Sequence, residues 1–197
     1  MIKLNRIVLM VGAALALVLS GCVSTPEKQT FADITFQHLT PINLDVGEIR
    51  VVNDFRAPLK APHVEHELPV KIDQSVTRWV RDRLKAVGNS GSVAVVTIKD
   101  ASAVETSLEK TTGLSGLVTR DQAELYTFQV DVDLQIQTIS GSRGFANAVA
   151  KRQKSVPEDI SLNDREQVYY GQVERLMQDF DLEMEKNIRQ FMSAFVR

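Results

Sequence analysis

The stretch Leu125–Ile139, LYTFQVDVDLQIQTI, decides the fold because apolar and polar residues alternate along it almost without a break. Successive side chains of a strand point to opposite faces, so this pattern predicts a strand with one face in a core and one face in water. Sheets that are wet on one face are typically antiparallel. The core-facing positions are Tyr126, Phe128, Val130, Val132, Leu134 and Ile136.

A tight turn at residues 140–142 predicts that the chain returns beside this strand. Gly141 lies between two serines, a composition typical of turns. Residues 143 to about 154 should then form the antiparallel partner strand. Its residues on one face are small, so we expect another element to approach closely there: Gly144, Ala146, Ala148 and Ala150.

A long helix is predicted from about Asn163 to Phe195. At ~1.5 Å per residue it spans ~50 Å, and the long strand also spans ~50 Å at ~3.3 Å per residue. We therefore expect the helix to lie along the hairpin. Its apolar stripe follows helical spacing: Tyr169, Val173, Leu176, Phe180, Met184, Ile188, Phe191 and Phe195.

Upstream, the pattern predicts strands at Glu48–Asn53 and Ser92–Lys99, with a helix between them. Asp73 can cap this helix, which runs to about Val87 and ends before Gly88. The order β-α-β-β-β-α predicts an α+β fold, a two-layer sandwich with two helices on one face of a mainly antiparallel sheet. The edges of such a sheet stay open to a partner strand.

The N-terminus has the pattern of a secretory signal. Lys3 and Arg6 precede an apolar run, Ile7–Ser20. Its 14 residues are too few to span a bilayer core of ~30 Å and match the apolar region of a signal peptide. At the end of the run, the small residues Ser20 and Gly21 directly precede Cys22.

Leu19, Ser20, Gly21 and Cys22 resemble a bacterial lipobox. The resemblance implies a signal peptide over residues 1–21, cleavage before Cys22, and acylation of Cys22 by chains such as palmitate. Because residue 23 is Val rather than Asp, it also implies the outer membrane, with the protein facing the periplasm. Stable anchoring needs more than one acyl chain. The alternative is an ordinary secretory signal with an incidental cysteine.

The composition is that of one globular domain. The chain has 197 residues, of which 44% are hydrophobic and 24% charged, and this excludes wholesale disorder. A single cysteine excludes a disulfide framework. A net charge of -2 lacks the basic character of nucleic-acid-binding proteins. We expect a lipidated tether over 22–45 and a folded domain over 46–197.

Two groups of residues have types that can carry chemistry. His63 and His66, with two neighbouring glutamates, could bind zinc, but prolines on both sides argue against a helix, so we favour an exposed polar loop without a functional metal. Asp131 and Asp133 are neighbours on one strand face and could do acid–base work. A solvated face is favoured there, so no catalytic residue is predicted. The glutamates beside His63 and His66 are Glu65 and Glu67.

Two further groups could meet lipid. A basic cluster on the first helix could contact anionic headgroups or lipopolysaccharide phosphates, and a solvated helix face is the alternative. Three phenylalanines near the C-terminus could line a lipid-sized gap between helix and sheet, although core packing is favoured. The basic residues are Arg78, Arg81, Arg83 and Lys85, and the phenylalanines are Phe180, Phe191 and Phe195.

The element order over residues 46–196 resembles two groups of envelope lipoproteins. These are the LPS-assembly (LptE-like) and ABC-type transport auxiliary (PqiC-like) lipoproteins. The shared features are a strand before the first helix, the strand carrying Tyr126, the 140–142 turn and the long last helix. The resemblance implies a non-catalytic partner of an envelope membrane protein, without a cofactor. The alternatives are a lipid or glycan carrier and an enzyme using Asp131/Asp133 or His63/His66.

Overall fold

The computed structural model describes residues 29–88, 91–108, 122–157 and 159–197, the side chains of 122 and 123 excepted. Its α-helices and strands are, in chain order, β1 (Ile42–Leu44), β2 (Glu48–Asn53), α1 (Ile72–Arg83), β3 (Leu84–Ala86), β4 (Val93–Asp100), β5 (Ala103–Ser107), β6 (Gln122–Gln137), β7 (Arg143–Pro157) and α2 (Leu162–Phe191). Single-turn 3-10 helices lie at Glu65–Glu67 and Ser193–Phe195.

The main sheet is built around β6. β7 pairs antiparallel along one side of it, and β4 and β5 pair antiparallel in succession along the other. β2 pairs parallel with β4 and forms the far edge. The six predicted core-facing residues of β6 are all buried, so the predicted one-sided strand and its hairpin are confirmed.

Helix α2 lies along the hairpin, as predicted, but it ends at Phe191 rather than at Phe195, and Phe191 is exposed instead of lying in the buried stripe. Tyr169, near its start, packs edge-on against Tyr126, with ring centroids 5.0 Å apart. Near its other end, a Cβ on Gly144 would lie 2.8 Å from the Phe195 ring, so the small face of β7 lets the C-terminal segment approach. The helix begins with Ser161 as N-cap, whose Oγ accepts a hydrogen bond from Asp164 N at 3.1 Å.

Helix α1 is shorter than predicted. It ends at Arg83, and Leu84–Ala86 forms β3, which pairs parallel with β1. The apolar spacing that extended the predicted helix to Val87 therefore belongs partly to a strand, because pairing with a distant segment overrides local periodicity. Asp73 lies in the first turn and accepts a hydrogen bond from Asn53 Nδ2 at 2.9 Å, while Lys71 occupies the N-cap position.

The folded part of the chain begins earlier than the predicted boundary at residue 46. Ile34 and Phe36 are buried in the core, and Phe36 N donates to Asp82 Oδ2 at 3.0 Å. β1 also contacts the C-terminal segment, where Arg197 N donates to Asn43 O at 2.9 Å. The segment 31–45, placed by the prediction in the lipidated N-terminus and tether, thus supplies part of the core.

The α+β prediction is confirmed: α1 and α2 pack on one face of a mixed, mainly antiparallel sheet. The structure adds three short strands, β1, β3 and β5, to the predicted order. Ala94, Val96 and Ile98 of β4 are buried on the helix face beside the apolar residues of β6. Within the described ranges, neither helix combines the length and apolar character needed to cross a membrane.

Candidate docking surface

Strand β7 is a long edge strand. It pairs with β6 over 15 residues, and no strand pairs with its outer side in the part of the chain that the structure describes. Asn187 Nδ2 donates to Asn147 O at 2.8 Å, so this carbonyl group is satisfied by α2. The strand carries four basic residues and no Asp or Glu: Arg143, Lys151, Arg152 and Lys154.

Two large apolar side chains of β7 project from the open face of the sheet. Phe145 is 52% exposed and Val149 is 50% exposed, although both lie within a regular strand. We use "the β7 surface" for the outer side of this strand together with Phe145 and Val149. The sequence could have indicated this exposure, because both residues occupy odd-numbered positions of the strand. The small residues that pack under α2 occupy the even-numbered positions and face the other way.

A charged network lies next to the β7 surface. Asn147 Nδ2 donates to Oδ1 of Asp131 and of Asp133, both at 2.7 Å. Lys99 Nζ lies 3.3 Å and 3.1 Å from the same two oxygens. The hydrogen bond to Asp133, with a further one to Asp131, raises the pKa of Lys99. The aspartates lie on the open face as predicted, but they are not fully solvated: the side chains of Asp131 and Asp133 are 25% and 14% exposed, and their Oδ1 atoms are engaged in this network.

The predicted basic cluster does not form one surface. Arg83 is buried, with Nε 2.7 Å from Asp181 Oδ1 and further contacts to Glu185 and Thr40 O. It cannot meet a lipid headgroup in this conformation, because its guanidinium faces α2 rather than solvent.

Of the other three basic residues, Arg81 and Lys85 are exposed, whereas the side chain of Arg78 is only 17% exposed. Arg78 Nη2 pairs with Asp33 Oδ1 at 2.9 Å, and Arg81 is largely exposed. Lys85 belongs to β3 and donates to Arg81 O at 2.5 Å. An anionic contact by these three residues remains a prediction.

The histidine-rich segment is an ordered part of the fold. Glu65 is buried, and its Oε1 lies 2.9 Å from His63 Nδ1 and accepts from Ala103 N at 3.1 Å. Val64 N donates to Ala103 O at 2.9 Å, so the segment pairs with the outer side of β5. His66 is exposed, as predicted, but it lies in a one-turn 3-10 helix, Glu65–Glu67, where a loop without helix was predicted. Among the residues with described positions, no group of three or more His, Cys, Asp or Glu side chains could hold a metal ion.

The three phenylalanines do not converge on a gap between helix and sheet. Phe180 is buried and packs edge-on against Trp79, with centroids 5.0 Å apart. Phe191 is mostly exposed at the end of α2, and Phe195 lies in a separate short turn. The middle of the helix–sheet interface is filled by buried side chains, including Leu176 and Met184.

The predicted lipobox residues Leu19, Ser20, Gly21 and Cys22 lie outside the described residues. Acylation of Cys22 therefore stays a prediction from the sequence.

Comparisons with known proteins return distant structural likenesses. No protein-family model matches the chain. No curated protein matches it either. A minor lipoprotein from Acinetobacter baumannii is 11% identical, with 73% of this chain and 92% of that chain covered and a TM-score of 0.36. A Xanthomonas campestris protein described by the family model DUF330 is 10% identical, with 82% and 94% covered and a TM-score of 0.37.

Rare lipoprotein B from Shewanella oneidensis is 12% identical, with 67% of this chain and 92% of that chain covered and a TM-score of 0.31. Two of these three proteins are thus described as lipoproteins. Likenesses with TM-scores this low carry no conclusion about the function of this chain.

Proposed function

We propose that this protein is an acyl-anchored envelope lipoprotein of the outer membrane, facing the periplasm, and a non-catalytic auxiliary or assembly partner of a lipid- or LPS-transport system. The observation that carries the proposal is the β7 surface. Within the described chain no strand pairs with the outer side of this 15-residue edge strand, and Phe145 and Val149 offer apolar area beside it. Both are what a partner strand needs.

The anchor would determine where this surface works. With Cys22 acylated, nine residues, 22–30, precede Phe31, whose ring stacks on Tyr170, and at ~3.5 Å per residue they reach ~30 Å. Partners in the same membrane then meet the β7 surface at a raised effective concentration. The exposed Arg143, Lys151 and Lys154 favour a partner segment with acidic residues, whereas Arg152 is already paired with Asp179 at 2.6 Å.

The packed interface between α2 and the sheet supports docking at the surface rather than cargo between the layers. Tyr169, Leu176 and Phe180 fill the space that a carried lipid or glycan would need. Opening this space would expose a continuous apolar core to water, at a cost of ~25 cal/mol per Å². Exchange of a cargo there would therefore require partial unfolding.

Site-specific photo-cross-linking in intact membranes tests the proposal. A photoreactive amino acid replaces Phe145 or Val149 in the full chain, and cross-linked proteins are identified by mass spectrometry. The matched control replaces Leu162, which is 77% exposed at the start of α2 in the opposite layer. The proposal expects a transport-system membrane protein from positions 145 and 149, little from 162, and a loss of yield with Cys22→Ser. Equal yields from all three positions, or no membrane-protein adduct, would contradict it.

A further inference from the structure

A second surface lies at the opposite edge of the sheet, between β2 and α1. We call it the β2–α1 groove, a depression of about 620 Å³. Its floor is apolar, formed by Ile49, Val51, Val80 and Leu84. Arg78 and Arg81 line its helix side, and no Asp or Glu is among its lining residues.

The two arginines provide donors without a full set of acceptors. Arg81 is 70% exposed on its side chain, and its recorded ion pair is a long one, 3.9 Å from Nε to Asp82 Oδ1. Arg78 uses Nη2 for Asp33, while its Nη1 is buried and has no hydrogen-bond partner among the described residues. Arg81 is therefore the accessible guanidinium of the two, and Arg78 adds positive charge beside it.

Strand β2 borders the groove as an unpaired edge. Its six residues span ~20 Å at ~3.3 Å each, and it pairs with β4 on one side only within the described chain. Val51 lines the groove and is 36% exposed, whereas the adjacent Val52 points to the open face and is 40% exposed. The groove thus combines the free edge of β2, an apolar floor and two arginines on its helix side.

We propose that the β2–α1 groove binds an extended acidic peptide segment of a partner protein. The segment adds to β2 as a further strand, buries alternate apolar side chains on Ile49 and Val51, and places a carboxylate against Arg78 and Arg81. A carboxylate matches the paired donors of a guanidinium. A lipid headgroup would use the arginines but would leave the strand edge unused, so the geometry favours the peptide.

The test is peptide selection by the full chain in detergent solution, which requires no acyl anchor and no partner membrane. A positional-scanning library of fluorescein-labelled hexapeptides is titrated by fluorescence anisotropy. We expect one position that prefers Asp or Glu, flanked by alternate positions that prefer apolar residues. Arg81→Glu should weaken the selected peptide at least tenfold, because a charge-assisted contact is replaced by repulsion.

Matched variants separate this site from general charge and folding effects. Val51→Glu should also abolish binding, whereas Val52→Glu on the same strand and Arg175→Glu on the exposed side of α2 should retain it. Circular dichroism checks the fold of each variant. If Arg81→Glu is unfolded, Arg81→Gln is used in its place. Absence of an acidic preference, retention of binding by Arg81→Glu, or equal losses in Val51→Glu and Val52→Glu would each overturn the proposal. Binding of phosphatidylglycerol vesicles without any peptide preference would overturn it in favour of a lipid site.

Discussion

Arg83 and Asp181 form a buried ion pair between the two helices, with Nε 2.7 Å from Oδ1, although 98 residues separate them in the sequence. The same oxygen accepts from Trp79 Nε1 at 2.7 Å, and Arg83 also contacts Glu185. Removing both charges from water is costly unless each is paired and hydrogen-bonded. The network therefore fixes α1 and its neighbouring groove at one position on α2.

Replacing Asp181 should destabilise the whole domain. Asp181→Asn leaves the buried Arg83 with less compensating charge, so we expect the free energy of unfolding to fall by about 3 kcal/mol. Urea denaturation measures this change. Lys186→Ala, which removes an exposed pair with Glu183, should alter stability by no more than about 0.5 kcal/mol. Similar losses in the two variants would contradict the structural role of the buried pair.

Gly88→Ala should also be destabilising. An added Cβ would lie 2.7 Å from Asp45 C and 2.8 Å from Val46 N, and backbone atoms cannot move aside as a flexible side chain can. We expect a loss of about 1–3 kcal/mol in thermal or urea unfolding, typical of overpacking. Wild-type stability in this variant would show that the chain does not approach so closely between β1 and β2.

Gly171→Ala should have the opposite effect. Gly171 lies within α2, and an added Cβ would meet nothing within 4 Å. Alanine loses less backbone entropy in a helix, so we expect a gain of about 0.5–1 kcal/mol and a higher melting temperature. A loss of stability here would indicate that this part of α2 is not helical or is not open to solvent.

The domain should lose stability at alkaline pH. Burial raises the pKa of all three tyrosines, Tyr126, Tyr169 and Tyr170, and that of Tyr169 to about 12. In the unfolded chain these phenols ionise near pH ~10. Between that pH and about 12 the folded state retains protons that the unfolded state loses, so the free energy of unfolding falls as the pH rises.

Two measurements check this pH dependence. Phenolate absorbance of the native protein should appear well above pH ~10. The free energy of unfolding, measured by urea denaturation, should fall less steeply with pH in Tyr169→Phe than in the wild type. A native titration midpoint equal to that of free tyrosine, together with an unchanged slope in the variant, would refute the buried positions of these rings.

The sequence predicted the parts of the fold whose pattern is local. Alternation along β6, the turn at Gly141 and the stripe of α2 each reflect a period that one segment contains by itself. The small residues of β7 also predicted correctly that another element would approach there.

The remaining features depend on contacts between distant segments. Leu84 fits a helical stripe equally well, and only its pairing with Ile42 makes it part of β3. Arg83 resembles its exposed neighbour Arg81 in sequence, yet Asp181 and Glu185 bury it. The groove between β2 and α1 has no local signal, because its floor combines residues from both elements.

The most direct test of the central claim is mass spectrometry of the membrane-extracted protein after trypsin digestion. The account predicts an N-terminal peptide spanning Cys22 to Lys28 that carries two or three acyl chains. It also predicts that the Cys22→Ser protein is lost from the membrane fraction. An unmodified Cys22, in a protein recovered from the soluble fraction, would contradict the anchored docking role.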